Sequence, residues 1–337
     1  MPLPATRGAT ARLRVFEAVE ALLPGSVQGG MNGNGGKLGT GGMSGMSGLR
    51  TGLALAAMGS IAFSGKAIIA KLAYRHGVDA VTLIMYRMLF ALPLFIALAW
   101  WAGRGKPPLT RRDLGGVVGL GFVGYYLASY LDFAGLQYIS ASLERLILYL
   151  NPTLVLLYSV LVFKHKVNAR QGLALAVGYA GVLLVFGHEL RFEGTQTALG
   201  AGLVFGSAVA YALYLVHSGR EVQRLGALRL TGWATSVACG LCILQFLVLR
   251  PLSAAEVAVP VLWLSLLNAT LCTFAPVLMV MLAIERIGAT LTAQTGMLGP
   301  LSTIAMGVLI LGEPMNAWII AGTVCVLAGV AMLARAR

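Results

Sequence analysis

The chain has 337 residues, of which 58% are hydrophobic and only 11% carry a charge. A soluble domain carries about 25% charged residues, so this chain cannot cover its apolar surface with a charged shell in water. The formal net charge of +13 does not indicate a nucleic-acid partner, because the basic residues lie in short loops between apolar runs and form no stripe along one helix. The composition predicts an all-α integral membrane protein surrounded by the lipid bilayer.

The first 50 residues differ in composition from the rest of the chain. Gly, Ser and Asn dominate from Gly25 to Gly48, and no apolar run is long enough to cross a membrane. We therefore predict a disordered Gly-rich tail over residues 1–50. A true start further downstream, at Met31, Met43 or Met46, stays open as an alternative.

Apolar runs with short polar interruptions follow from residue 51 to the end of the chain. Each is about 17 to 25 residues long, the length that crosses about 30 Å of hydrocarbon as a helix. Ten transmembrane helices are predicted, over residues 51–72, 80–102, 114–134, 139–163, 170–187, 197–218, 230–249, 260–283, 288–311 and 316–335.

The distribution of Lys and Arg predicts that both termini are cytoplasmic. With that orientation the inner loops contain thirteen basic residues: Arg104, Lys106, Arg111, Arg112, Lys164, Lys166, Arg170, Arg220, Arg224, Arg229, Arg286, Arg335 and Arg337. The outer loops contain four: Lys71, Arg75, Arg191 and Arg250. Short loops rich in Lys and Arg stay on the cytoplasmic side, so we expect a multi-pass protein of the cell (cytoplasmic or inner) membrane.

An internal repeat divides the chain into a first unit over residues 51–190 and a second over residues 197–336. The segment from Ser140 to Pro152 matches the segment from Gly288 to Pro300, an offset of 148 residues, the difference between 152 and 300. Five spans per copy is an odd number, so the second copy enters the membrane upside down, and inverted repeats place a solute site near the midplane. Four residues at the matched points are predicted to break a helix and expose a carbonyl to a cavity: Asn151, Pro152, Gly299 and Pro300. A simple packing kink is the alternative for the two prolines.

The order of these motifs resembles the EamA family of the drug/metabolite transporter superfamily. In the second half the resemblance rests on Ala283-Ile-Glu-Arg-Ile-Gly-Ala-Thr290, Gly299-Pro300, Leu311-Gly-Glu-Pro314 and Leu327-Ala-Gly-Val330; in the first half it rests on Tyr86-Arg87, Gly135-Leu-Gln-Tyr-Ile-Ser-Ala141 and Asn151-Pro152. The acidic residue typical of the family's Gly-Glu turn is present as Glu313 but replaced by His165 in the first half. The resemblance implies ten helices in two five-helix repeats, and export or exchange of amino acids and related metabolites.

Charged residues inside the predicted spans are candidate solute contacts, because a charge within the bilayer is costly unless it faces the bundle interior or water. The three cations among them, Lys66, Arg87 and Arg145, outnumber the two anions, Asp132 and Glu144, by one charge. A surplus positive charge in the interior suits a solute carboxylate. Glu144 and Arg145 are adjacent and point about 100° apart on a helix, so we expect only one of them to face a common cavity. The predicted solute contacts are Lys66, Arg87, Tyr125, Ser129, Asp132, Glu144 and Gln294. Arg87 is the preferred anchor; internal ion pairs without solute contact are the alternative.

No cofactor or metal is predicted. The four histidines are scattered over helix ends on both sides of the membrane, and Cys239-Gly-Leu-Cys242 has no second pair to complete a metal site. The stretch from Gly59 to Lys66 differs in length from a phosphate-binding loop and has Ala67 where Ser or Thr should bind magnesium. Transport is therefore expected to be secondary.

The predicted function is a secondary transporter, an exporter or exchanger of a small amino-acid-like or carboxylate-like metabolite. Its partners are that solute and the bilayer, and a homodimer is compatible with the sequence. A non-transporting scaffold or sensor is the alternative. A membrane-embedded enzyme is a weaker one, because neighbouring arginines would keep both Asp132 and Glu144 ionised.

Overall fold

A computed structural model describes residues 42–163, 168–193, 195–296 and 298–335. All regular elements in these ranges are helices, which confirms the all-α class. Helices are expected here because a backbone within hydrocarbon must satisfy its N–H and C=O groups internally. Most of the predicted tail, residues 1–41, lies outside the described residues, as does His165. The first helix begins at Gly42, upstream of the predicted start at residue 51.

The first repeat contains seven helical elements. They are α1 (Gly42–Tyr74), α2 (Ala80–Gly103), α3 (Arg111–Leu120), α4 (Ala128–Leu136), α5 (Ala141–Leu148), α6 (Asn151–Phe163) and α7 (Ala169–Glu193). A π-helical segment, Gly121–Leu127, joins α3 to α4 without a loop.

The second repeat contains six α-helices. They are α8 (Thr195–Leu225), α9 (Ala227–Leu249), α10 (Val259–Ala269), α11 (Ala275–Thr295), α12 (Leu298–Met306) and α13 (Ala317–Arg335). The π-helical segment Thr270–Phe274 joins α10 to α11, and a second one, Gly307–Leu311, extends α12.

Eight helices in the described part of the chain are long and apolar enough to cross a membrane, and two shorter apolar helices, Leu298–Leu311 and Ala317–Leu333, follow them. These elements match the ten predicted spans in order. The prediction of one helix over residues 288–311 is wrong, because α11 continues through to Thr295 and a separate helix starts at Leu298. In the first repeat Ser140 caps the start of α5, whereas its counterpart Gly288 has no side chain with which to begin a new helix.

Two irregularities of the helices recur at equivalent points of the two copies. The π-helical segments Gly121–Leu127 and Thr270–Phe274 overlap at the 148-residue offset. The break between α5 and α6 likewise corresponds to the break between α11 and α12. The repeat seen in the sequence is thus a repeat of backbone geometry.

The largest helix–helix interfaces all join the two repeats. They pair α7 with α13, α2 with α9, α1 with α11, and α4 with α8. If each helix is replaced by its counterpart in the other copy, the same four pairs result. This symmetry is expected for repeats related by a pseudo-two-fold axis. The two copies therefore form one bundle with a shared interior.

Small residues allow some of these helices to approach closely. A Cβ atom on Gly181 of α7 would lie 2.6 Å from the carbonyl oxygen of Gly322 on α13, and the reverse distance is also 2.6 Å. Such contacts replace the hydrophobic effect, which cannot drive association within lipid. Cys239 and Cys242 are buried free thiols of α9.

The two equivalent helix breaks differ from the prediction in the position of their prolines. Pro152 is the second residue of α6 and Pro300 the third of α12, so both lie in a first turn, where a missing N–H costs nothing. The chain breaks before these prolines, at Tyr149 and Leu150 in the first copy, and the Asn151 side-chain amide donates to the Leu148 carbonyl there at 2.7 Å. The prolines start helices and do not kink them.

Candidate functional site

Four helices of the first repeat bring five charged side chains together in the interior. Lys66 comes from α1, Arg87 from α2, Asp132 from α4, and Glu144 with Arg145 from α5, and all five are at most 9% exposed. We call this set the charged cluster. It forms because α1, α2 and α5 each pack against α4, so charges far apart in sequence meet in the interior of the bundle.

Lys66 is the centre of the cluster. Its ammonium forms an ion pair and a hydrogen bond with Asp132, and Nζ lies 3.5 Å from Oε1 of Glu144. One ammonium thus faces two carboxylates. Oδ1 of Asp132 and both oxygens of Glu144 have no hydrogen-bond partner among the described residues, so the carboxylates retain capacity to accept further donors.

Arg87 joins the cluster without a carboxylate partner. Its Nε donates to Oγ1 of Thr273 in the second repeat at 3.1 Å, and its Cζ lies 4.8 Å from the centroid of the Phe133 ring. Nη1 is buried with no hydrogen-bond partner in the described part of the chain. The alternative in which Arg87 forms an ion pair with Asp132 or Glu144 is not what the structure shows, since no ion pair of the described residues includes Arg87.

Arg145 is the second guanidinium of this kind. Its Nη2 donates to Oγ of Ser64 at 3.3 Å, the Ser64 hydroxyl lies 2.8 Å from the carbonyl oxygens of both Gly299 and Ser60, and Nε of Arg145 has no partner among the described residues. A Cβ atom on Gly299 would lie 2.6 Å from Nη2, so the predicted break residue Gly299 leaves room for this guanidinium. The Arg145 Cζ also lies 5.5 Å from the centroid of the Phe63 ring.

Glu144 and Arg145 both reach α1, but at different residues: Glu144 approaches Lys66 and Arg145 donates to Ser64. Residues two apart on a helix point about 200° apart, so these two contacts do not by themselves place both side chains in one cavity. The expectation that only one of them faces a common cavity stays a prediction.

The remaining predicted contacts have other surroundings. Tyr125 hydrogen-bonds to Tyr214 of α8 at 3.1 Å, and their rings meet edge to face. Ser129 is half-buried on α4, and the side chain of Gln294 lies outside the described residues. The structure therefore brings together Lys66, Arg87, Asp132 and Glu144 of the predicted set.

Sequence reasoning missed Arg145, Ser64 and Thr273 as members of the site. Its adjacency to Glu144 argues against Arg145 in the sequence, although a charge inside a predicted span is itself a sufficient signal. Ser64 and Thr273 carry hydroxyl groups in apolar helices, where such groups are common, so nothing in the sequence distinguishes them.

The cluster combines three cations and two carboxylates. Its two guanidinium groups keep unused donors in a buried setting, where an unmatched polar atom is costly and an anionic oxygen would be held strongly. No group of three His, Cys, Asp or Glu side chains that could hold a metal ion occurs among the described residues. The unused hydrogen-bonding capacity of the cluster thus includes donors of the two guanidinium groups and acceptors of the two carboxylates.

Comparison with known proteins gives a consistent picture. The family model described as the EamA-like transporter family matches residues 50–187 and 198–335. The chain is 30% identical to the uncharacterized transporter YcbK of Bacillus subtilis over 279 residues, which cover 78% of this chain and 86% of YcbK. It is 27% identical to the uncharacterized transporter YyaM of the same organism over 248 residues, covering 72% of this chain and 80% of YyaM.

A solved crystal structure shares the fold. It aligns with a TM-score of 0.57 at 17% sequence identity, over 85% of this chain and 98% of the other. At this identity the likeness concerns the fold alone.

Proposed function

This chain belongs to the EamA-like transporter family, and from that premise we propose that it is a secondary transporter that exports or exchanges a small carboxylate-bearing metabolite, such as an amino acid. The proposal places it in the cell membrane as a multi-pass protein with both termini cytoplasmic. The excess of Lys and Arg in the predicted inner loops supports this orientation. The family and the eight long apolar helices in the described part of the chain support transport over catalysis.

One observation carries the choice of solute. Arg87 and Arg145 are buried guanidinium groups that form no ion pair with a described carboxylate, and each retains a nitrogen without a hydrogen-bond partner. A planar guanidinium can hold a carboxylate with two parallel hydrogen bonds. A solute carboxylate at this position would complete both the charge and the hydrogen bonds.

The same contacts suggest how binding is coupled to movement. Thr273, which accepts from Arg87, and Gly299, whose carbonyl accepts from Ser64, belong to the second repeat. The charged side chains all belong to the first. A solute bound by the cluster therefore lies at the boundary between the copies, which is where rocking of inverted repeats opens and closes a site.

The proposal is tested by counterflow in proteoliposomes. Vesicles loaded with one unlabelled amino or organic acid should accumulate the same labelled solute, and amides or amines that lack the carboxylate should not compete. A thermal-shift screen of the purified protein identifies the solute to use, because a ligand that binds only the folded state raises the melting temperature. Equal competition by acid and amide would refute the carboxylate assignment, and absence of counterflow for every solute that binds would favour a non-transporting sensor.

A further inference from the structure

A second polar site lies away from the charged cluster, at the ends of helices near the predicted cytoplasmic surface. A surface cavity of about 420 Å³ opens between the end of α2 and the start of α9. Its lining includes Trp101, Lys106, Gly226, Arg229, Met281 and Ile284. We call it the α2–α9 cavity.

Two cations line the α2–α9 cavity with donors to spare. Arg229 is 7% exposed; its Nη2 donates to the Pro107 carbonyl at 2.9 Å, while its Nε has no partner among the described residues. The Lys106 ammonium donates to the Leu225 carbonyl at 3.4 Å, which leaves two of its three N–H groups. No described carboxylate forms an ion pair with either residue.

The start of α9 adds a third source of positive potential. Its N-cap residue is Gly226, with φ of 85°, and no side chain caps the helix. The first-turn residues Ala227, Leu228 and Arg229 line the same cavity. Unfilled N–H groups at a helix N-terminus attract phosphate and similar anions.

The other side of the cavity is apolar. Met281 and Ile284 of α11 contribute to the lining, and Trp101 is 58% exposed. Tryptophan is favoured at the level of lipid headgroups, where its ring is partly apolar and partly polar. A phospholipid matches both sides of the cavity, because its phosphate can contact the cationic side and its acyl chains the apolar side.

We propose that the α2–α9 cavity binds the phosphate of an anionic phospholipid headgroup through Lys106, Arg229 and the start of α9. Lys106 and Arg229 do not belong to the charged cluster, so this proposal does not depend on the identity of the transported solute. On the predicted orientation it lies in the cytoplasmic leaflet, whose anionic lipids are attracted by basic groups near the surface.

The test measures melting temperature of the purified full-length protein in detergent during titration with dioctanoyl phosphatidylglycerol. The wild type should be stabilised in a concentration-dependent way. Lys106→Gln and Arg229→Gln should each weaken the apparent affinity at least about tenfold, the effect of losing one charged hydrogen bond. The ligand-dependent shift is compared within each variant, so a change in the baseline stability of Arg229→Gln does not affect the result.

Matched controls separate this site from general attraction to a basic loop. Arg104→Gln and Arg111→Gln remove exposed cations in and next to the same loop that do not line the cavity, and they should leave the affinity unchanged. Dioctanoyl phosphatidylcholine and inorganic phosphate should each give a weaker effect. Equal loss in the control variants, an equal shift with phosphatidylcholine, or a full shift with inorganic phosphate would each overturn the proposal, the last by showing a soluble anion as the occupant.

Discussion

The buried side chains of the charged cluster differ in how well their charges are matched. Lys66 is surrounded by Asp132 and Glu144, so its charge is neutralised within the protein. Arg87 and Arg145 instead meet a hydroxyl group and an aromatic ring each. Hydroxyl and ring contacts position a guanidinium without neutralising its charge. An unneutralised charge is what the proposed anion-binding role of these two groups requires.

Replacing Arg87 tests the anchor role. Arg87→Lys should lower solute affinity by about 1.5–3 kcal/mol, because a point charge replaces a paired donor, and Arg87→Ala should lower it further. Binding is measured by thermal shift or scintillation proximity and stability by melting temperature on the same variants. Thr273→Val is the matched control, since it removes the Nε acceptor and keeps the guanidinium, and it should weaken binding less. Normal affinity with a large loss of melting temperature would assign Arg87 a purely structural role.

Replacing Lys66 tests the internal ion pairs. Lys66→Met leaves two buried carboxylates without their shared ammonium, so the protein should lose about 3–5 kcal/mol of stability. Adding Asp132→Asn removes one of those charges and should restore part of the loss. Thermal unfolding of the single and double variants measures the difference, and a double variant no more stable than the single one would argue against the coupling.

At the scale of helices, α5 is held at its first turn by two carboxylates from other elements. Glu313 accepts from the backbone N–H of Ala141 at 2.7 Å and from the Ser142 hydroxyl at 2.8 Å, and Glu189 accepts from Ser140. Because α5 carries Glu144 and Arg145, these caps fix the position of two of the five side chains of the charged cluster. The turn residue that the sequence singles out thus acts on a helix of the other repeat.

Removing that cap should have a measurable effect. Glu313→Gln loses the negative charge at the helix N-terminus and should cost about 0.5–2 kcal/mol of stability. Solute affinity should fall with it, since the cap holds α5 in place. Glu256→Gln, at an exposed position, is the control and should change neither quantity. Equal melting temperatures for the two variants would show that the cap contributes nothing.

Close packing of α7 on α13 makes a second prediction at this scale. Gly181→Val places a side chain 2.6 Å from the Gly322 carbonyl, so it should destabilise the protein by about 1–3 kcal/mol or more. A Cβ atom on Gly187 of the same helix would have no atom within 4 Å, so Gly187→Val should stay within about 0.5 kcal/mol of wild type. Melting temperatures of the two variants give the comparison; similar values would indicate that the helices can separate without cost.

At the scale of the whole molecule, the four main interfaces each join one repeat to the other. The repeats therefore cannot act as separate domains, and a change of conformation must shift several interfaces together. Such a movement changes access to a site between the copies from one side of the membrane to the other.

The orientation of the molecule is tested by reporter fusions. Alkaline phosphatase fused after Arg112, Lys166 or Arg224 should be inactive, because these loops are predicted to be cytoplasmic, and fusion after Arg250 should be active. A fluorescent protein that folds only in the cytoplasm should give the opposite pattern. Phosphatase activity at any of the first three positions would invert or break the predicted topology.

Composition, the length of the apolar runs and the internal match are enough to predict the all-α class, the order of the apolar segments and the repeat. Long apolar runs can only be helices in a bilayer, and a matched offset of 148 residues between the Asn151-Pro152 and Gly299-Pro300 points is visible without coordinates. Charged residues within apolar segments, such as Lys66 and Arg87, are also visible in the sequence. Placing such a charge in hydrocarbon has a high free-energy cost, so each indicates an interior position.

The tertiary structure decided which charges are paired. Whether Arg87 meets a carboxylate depends on the rotation and depth of three helices, which are set by packing and leave no periodic signal in the sequence. The same holds for Arg145, whose reach to Ser64 depends on the space beside Gly299, and for the continuation of α11 past Gly288. These features arise between segments distant along the chain, so local sequence patterns do not specify them.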